Sequence, residues 1–326
     1  MVRSMRERYV GRTGLKVSRL GLGTLTWGTD VDEDEASAQL MTFAEAGGTL
    51  LDTGSGYGRG ASEEMVGALL RDVVARDDLV IATKAGITTS RGQWREDTSR
   101  GAMLRTLDSS LRRLGVDYVD LWQVNAASDD VPVEETLSAF DAALASGRAR
   151  YVGVCNYSGW RTAQAATYQL GAPGRARLAS AQVEYSLLQR GVEREVVPAA
   201  LDLGLGVLPW SPLGRGVLTG KYRTGVPGDS RGASATFADY VAEFLNPRAA
   251  RVVEAVARAA EGLELSPLQV ALAWVRDQPG VTAPIVGART AEQLKASLAS
   301  EEVVLPAEIV EALDDVSAPP VGYPEA

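Results

Sequence analysis

Asp52, Tyr57 and Lys84 are the side chains whose types and spacing suggest chemistry. Residues 50–57 read Leu-Leu-Asp-Thr-Gly-Ser-Gly-Tyr. A short apolar run ending in Asp reads as a buried strand that leaves the core at Asp52, and the glycines behind it let the chain turn at once. A second short strand, residues 79–83, runs into Lys84. A tyrosine hydroxyl ionises near about 10 in isolation. A neighbouring ammonium favours the phenolate and lowers that value, and a buried aspartate would hold the ammonium in place and charged. Together the three groups would make a proton donor for a carbonyl oxygen that receives hydride. From these residues alone, an exposed tyrosine beside a rim ion pair reads equally well.

What the chain lacks narrows the chemistry further. It has no histidine among 326 residues. That removes the imidazole base, the Ser-His and Cys-His nucleophile pairs and most zinc sites, so no metal site is expected. Acid–base work at neutral pH must come from Tyr, Lys, Asp or Glu, or from a cofactor. Lys and Arg total 33 against 42 Asp and Glu, a net charge of −9, which disfavours a nucleic-acid or anionic-membrane partner. A local basic pocket for a phosphorylated cofactor remains compatible with that balance. One cysteine, Cys155, excludes an intrachain disulfide and fits a reducing, cytoplasmic compartment. The charged start, residues 1–10, does not read as a secretory signal, and no apolar run is long enough to span a membrane. The Asn156-Tyr157-Ser158 triplet matches a glycosylation acceptor but lacks a secretory route.

The elements that must position these groups follow a βα rhythm. Residues 9–10 and 17–20 flank a Gly-Arg-Thr-Gly turn and suggest a small hairpin. Strands are expected at 20–24, 50–52, 79–83, 118–124, 151–154, 178–183, 206–210 and 283–286. Helices are expected at 34–46, 62–71, 99–114, 133–145, 159–169, 192–203, 247–261, 267–276 and 291–298. A long Gly-rich loop, 211–235, follows the seventh strand, and an appended helix, 306–316, precedes a Pro-rich tail. No linker or composition shift divides the chain. Residues 1–326 are therefore expected to form a single α/β domain, a closed (β/α)8 TIM barrel rather than an open doubly wound sheet. Active sites of such barrels lie at the C-terminal ends of the strands, where Asp52, Lys84, Asn125, Asn156 and Trp210 fall. Gly56 to Ala61 fits a loose dinucleotide pattern, but the next strand ends in Lys84 where that fold wants an acid. Gly216 to Lys221 lacks the spacing of a P-loop.

Order and spacing add a resemblance. Asp-Thr-x-x-x-Tyr after the second strand, then Ala-Thr-Lys after the third, resembles the aldo-keto reductase superfamily. Residues 114–121 (Leu-Gly-Val-Asp-Tyr-Val-Asp-Leu) look like that family's approach to its fourth strand. Residues 153–158 (Gly-Val-Cys-Asn-Tyr-Ser) look like its Gly-(Val/Ile)-Ser-Asn-(Phe/Tyr)-Ser motif. Residues 210–222, from Trp210 to Tyr222, look like its seventh-strand cofactor loop, and residues 284–289 with Gln293 like its last cofactor segment. The match covers nearly the whole chain and is closest to the branch holding potassium-channel β subunits and bacterial sugar-ketone reductases.

The resemblance implies NADPH bound in an extended pose across the barrel mouth. Thr24, Asp52 and Cys155 would border it. Asn156 and Gln182 would hold the nicotinamide carboxamide, and Trp210 would stack on its ring. The loop Ser211, Pro212, Leu213, Gly214, Arg215 and Gly216 would wrap the pyrophosphate. Lys221, Arg231, Gly287, Arg289 and Gln293 would serve the adenosine and 2′-phosphate end, where cations and backbone N–H groups are needed. Tyr57 would be the proton donor to a small-molecule carbonyl, tuned by Lys84 and Asp52. Trp27 and Trp94 could line the substrate pocket, although a packing role suits them as well.

Three positions depart from the family pattern. Gln123-Val124-Asn125 places asparagine where Gln-x-His is usual, and an amide can donate to a substrate oxygen but cannot gain or lose a proton. Channel β subunits also carry asparagine there. Ala296-Ser297 stands where relatives often carry Glu-Asn beside the adenine, and Cys155 replaces a serine. Besides carbonyl reduction, two further readings stay open: reduction of a conjugated C=C bond, and an NADPH-binding regulatory subunit with slow residual chemistry.

Overall fold

All eight expected barrel strands join one closed parallel ring in the computed structural model, which describes residues 5–90, 93–228, 230–234, 237–320 and 322. In chain order the strands are β1 Glu7–Tyr9, β2 Lys16–Ser18, β3 Gly21–Gly23, β4 Leu50–Asp52, β5 Val80–Ala85 and β6 Ile87–Ser90. They continue as β7 Gln93–Glu96, β8 Val119–Val124, β9 Ala149–Cys155, β10 Leu178–Glu184, β11 Gly206–Trp210 and β12 Ile285–Val286. The ring runs β3-β4-β5-β8-β9-β10-β11-β12 and closes where Ile285 pairs with Gly21.

Alternation along these strands separates two surfaces. Leu50, Ala82, Leu121, Ala179, Leu208 and Ile285 form an apolar cluster with Val10, Leu15 and Val17 of the β1–β2 hairpin, so the hairpin packs against this inner core. Leu51, Ile81, Trp122 and Val154 pack instead in the larger core shared with the surrounding helices. Two residues beyond Leu50, Ala82 and Leu121 on the same strand faces come Asp52, Lys84 and Gln123. The inner apolar layer is thus followed by a polar one at the C-terminal ends of the strands.

The helices follow the sequence pattern closely, and their ends have local causes. Asp32 accepts from Glu35 N at the start of helix Glu33–Glu45. Ser266 and Gln269 form a capping box on helix Pro267–Arg276, with Pro267 at the position where a missing N–H costs nothing. Gly115 ends helix Arg100–Leu114 in the left-handed region, φ 66°. The appended helix is Ala307–Ser317, and of the expected tail, residues 321 and 323–326 lie outside the described residues.

Four local expectations are corrected. The helix expected at 192–203 is split into a 3-10 turn, Gly191–Glu193, and a helix, Val196–Leu203. Pro198 explains the shift, because only the first turn of a helix tolerates a missing N–H. The third barrel strand does not stop before Lys84 but runs through it to Ala85. Behind Gly86 the chain forms the unforeseen β6–β7 hairpin. A short helix, Ala238–Ala242, follows the Gly-rich loop.

Candidate active site

The polar layer gathers around one buried ion pair. Lys84 Nζ lies 2.7 and 2.6 Å from the two Asp52 oxygens and donates to Thr53 O at 2.8 Å. Both residues are 3% exposed, so the pair lies in a low-dielectric setting and each partner depends on the other. Gln182 Nε2 donates to Asp52 Oδ1 at 2.9 Å and sits 3.4 Å from Gln123 Oε1; Gln123 donates in turn to Ser180 at 3.3 Å. The network ties β4, β5, β8 and β10 together across the barrel and fixes the lysine.

Tyr57 stands over this pair. It opens a 3-10 turn, Tyr57–Gly60, just past the end of β4, and its N–H donates to Gly54 O at 3.0 Å. Lys84 Nζ is 5.0 Å from the ring centroid. Burial pushes the phenol up to about 12; Lys84 opposes that rise and Asp52 adds to it. The sequence argument had Lys84 lowering the phenol, and that attraction is present, but desolvation outweighs it. Burial also works against the charge on Lys84, yet Asp52 foremost, with Tyr57 and Cys155, holds it above the usual lysine range. The Cys155 thiol, 1% exposed, borders the same cavity as expected and is pushed up to about 12 by burial, so it stays protonated at neutral pH. The site therefore presents a neutral phenol next to a fixed cation at neutral pH.

The foot of the turn is secured from behind. Ser62 Oγ donates to Thr24 O at 2.8 Å and lies 2.7 Å from Thr24 Oγ1 and 3.0 Å from Thr53 Oγ1. Thr83 donates to the fully buried Glu63, whose other oxygen accepts from Arg113 Nε at 2.8 Å. These bonds attach helix Ala61–Asp72 to the ends of β3, β4 and β5, so the turn carrying Tyr57 has a fixed base.

A cavity of about 370 Å³ opens above the pair, lined by Asp52, Tyr57, Lys84, Asn125, Asn156, Gln182 and Trp210 among others. Asn156, at φ 58°, donates to Asn125 O at 2.8 Å and accepts from Trp210 Nε1 at 2.9 Å. That amide bridge sets the tilt of the indole. Ser211, Pro212, Leu213, Arg215 and Gly216 also line the cavity, as do Lys221, Gly287, Arg289, Gln293 and Ser297. Arg289 N donates to Gln293 Oε1 at 3.0 Å.

Several expected site residues fall elsewhere. Trp27 is fully buried and donates to Gln39 Oε1 at 3.0 Å, so it packs the core and does not line this cavity. Thr24 is fully buried in the hydroxyl cluster just described. Gly214 turns against Leu188 and is not among the residues that line the cavity. Arg215 lines the cavity, but its guanidinium is taken by Glu184, Glu243 and Tyr240 O, so it clamps the loop. The side chains of Trp94 and Arg231 lie outside the described residues. Sequence reasoning missed Leu25, Phe237 and Tyr240 on the wall. The aromatic pair, three residues apart after the Gly-rich loop, was the available signal for the last two. Among the described residues no cluster could hold a metal ion, and no helix is long and apolar enough to cross a membrane.

Comparison with known proteins adds an independent line. The model of the "Aldo/keto reductase family" matches residues 19–318. The uncharacterized oxidoreductase YrpG of Bacillus subtilis is 36% identical over 99% of both chains. A probable voltage-gated potassium channel subunit beta of Oryza sativa is 34% identical over 96% of both. The L-glyceraldehyde 3-phosphate reductase of Escherichia coli is 34% identical over 89% of this chain and 86% of its own.

Proposed function

The chain belongs to the aldo/keto reductase family, a family of oxidoreductases, and from that premise we propose that it reduces a small-molecule carbonyl with NADPH, Tyr57 giving the proton. One observation carries the reading: a neutral phenol held above a buried Lys84–Asp52 pair on the wall of a cavity that Lys221 and Arg289 also line.

The residues present fit a nicotinamide cofactor. Both amide hydrogens of Gln182 point at Asp52 and Gln123, which leaves its carbonyl oxygen as an acceptor on the cavity wall suited to a carboxamide N–H. Trp210, oriented by Asn156, offers a flat face. The 211–216 loop would take the pyrophosphate, and Lys221, Arg231, Arg289 and Gln293 the adenosine phosphate end. When bound, the cofactor supplies hydride to the carbonyl carbon. Negative charge then develops on the carbonyl oxygen, where Tyr57 delivers its proton. Lys84 stabilises the resulting phenolate, and Asp52 keeps Lys84 charged and in place. Asn125 donates one N–H to the same oxygen but exchanges no proton.

Asn125 also favours a second reading, a regulatory subunit that binds NADPH and turns over slowly, because the position lacks an ionisable group. NADPH oxidation measured against aldehydes, ketones, enones and keto-sugars, beside a cofactor titration, separates the two. Saturable turnover of carbonyls supports the reductase. Tight NADPH binding with no turnover on any of them supports the regulatory subunit, and turnover confined to enones moves the reaction to the C=C bond.

A further inference from the structure

A second concavity of about 600 Å³ shares no lining residue with the first but is bordered by Ser55, Gly56 and Arg59, on both sides of Tyr57 in the same turn. Arg59, Arg105 and Arg113 line it, with Ser55 and Gly56 from the turn and Asp97 at the end of the β6–β7 hairpin. Three guanidinium groups around one hollow are unusual on a chain of net charge −9. Only Arg113 is neutralised, by Glu63 at 2.6 Å. Among the described residues neither the Arg59 nor the Arg105 side chain makes an ion pair or hydrogen bond. Asp97 is committed locally, accepting from Ser99 N at 3.1 Å and Ser99 Oγ at 2.6 Å.

The backbone supplies a separate observation. Arg59 sits at φ 58°, ψ 35°, a conformation that L side chains rarely adopt. Five non-glycine residues have positive φ among the described residues, and three of them, Asn156, Ser211 and Arg215, line the central cavity. Arg59 is the one that lines the second hollow. Such strain gathers where side chains are held for a ligand. Gly56 and Gly58 on either side of Tyr57 make the turn tight enough to present the phenol to one cavity and Arg59 to the other.

We propose that the Arg59–Arg105–Arg113 hollow binds a phosphate dianion. Guanidinium forks pair with phosphate oxygens two at a time, and the cations here are carried by one helix, Arg100–Leu114, and one turn, with Arg113 held by Glu63. The phosphate is either the tail of the carbonyl substrate or a separate anion acting through the Tyr57 turn. The binding test needs no turnover, so its failure is distinguishable from failure of the reductase reading.

The test is calorimetric titration of the full chain with inorganic phosphate, comparing wild type with Arg105→Ala, Arg59→Gly and Lys221→Ala, the last altering the other cavity. The expected result is saturable binding weakened about tenfold or more in Arg105→Ala and Arg59→Gly, and kept in Lys221→Ala. Arg59→Gly should also melt higher than wild type, since glycine relieves the positive φ. Kinetics then separates the sources. A substrate tail makes an aldehyde phosphate better in kcat/KM than its dephosphorylated counterpart, and Arg59→Gly erases the difference. A separate anion leaves the two aldehydes equal while phosphate changes the rate of both. Phosphate binding that is absent, or indifferent to Arg59 and Arg105, overturns the proposal.

Discussion

At the residue scale the chemistry turns on which form Tyr57 holds. Burial sets it, with the phenol pushed up to about 12 against the pull of Lys84. A raised value means that the proton is present throughout the neutral and mildly alkaline range and is lost only as pH approaches 12. If Tyr57 gives the proton as proposed, reduction needs the protonated phenol, so kcat/KM for a carbonyl should stay flat between about pH 6 and 9. The reverse oxidation needs the phenolate and should climb about tenfold per pH unit over the same range. A reduction profile that falls with a midpoint near neutrality contradicts this assignment. Asn125 yields a second expectation. Losing one stabilising donor typically costs about 10²–10³ in rate, and an amide keeps part of that. Asn125→His should raise kcat on simple aldehydes at least several-fold, measured in single turnover with cofactor saturating. No gain in a variant that folds and binds cofactor normally defeats this account of the position.

At the element scale the βα alternation was readable because each strand is short, apolar and followed by a helix with a cap or stop of its own. The apolar runs that end at Asp52 and Lys84 also placed both at the barrel mouth, and the structure adds that each lies two residues past an inward apolar residue, Leu50 and Ala82. What escaped was set by contacts distant in sequence. Nothing local marks Trp27 as fully buried; its environment is made by Gln39 from the next helix. Nothing in the Gly-rich loop says that Arg215 faces Glu184 and Glu243 instead of a phosphate, because those acids come from β10 and from beyond the short helix Ala238–Ala242. The β6–β7 hairpin was hidden in a polar stretch without alternation. The Arg215 clamp is testable. Arg215→Met removes the cation from Glu184, which is 12% exposed, and unfastens the helix that carries Tyr240. Stability should drop by about 3 kcal/mol and cofactor affinity should weaken, with little change in kcat. Thermal melts and a cofactor titration check this; a variant as stable and as tight as wild type contradicts the clamp.

At the scale of the whole molecule, an acidic chain places two basic residues, Lys221 and Arg289, on the wall of the cavity that also holds Tyr57, Lys84 and Asp52. On the proposed reading those cations would serve the cofactor with the extra phosphate. NADPH should bind more tightly than NADH, and Lys221→Ala should narrow the gap by about tenfold or more, read by quenching of tryptophan fluorescence. Equal dissociation constants for the two cofactors in wild type contradict this. The central claim is that Tyr57 acts only as charge develops on the substrate oxygen. The direct measurement is single-turnover hydride transfer to an accepted carbonyl, comparing wild type with Tyr57→Phe at saturating NADPH. The account predicts nearly unchanged NADPH affinity and a rate lower by about 10²–10⁴ in the variant. A Tyr57→Phe enzyme that transfers hydride at the wild-type rate would contradict it, because the proton would then come from another group.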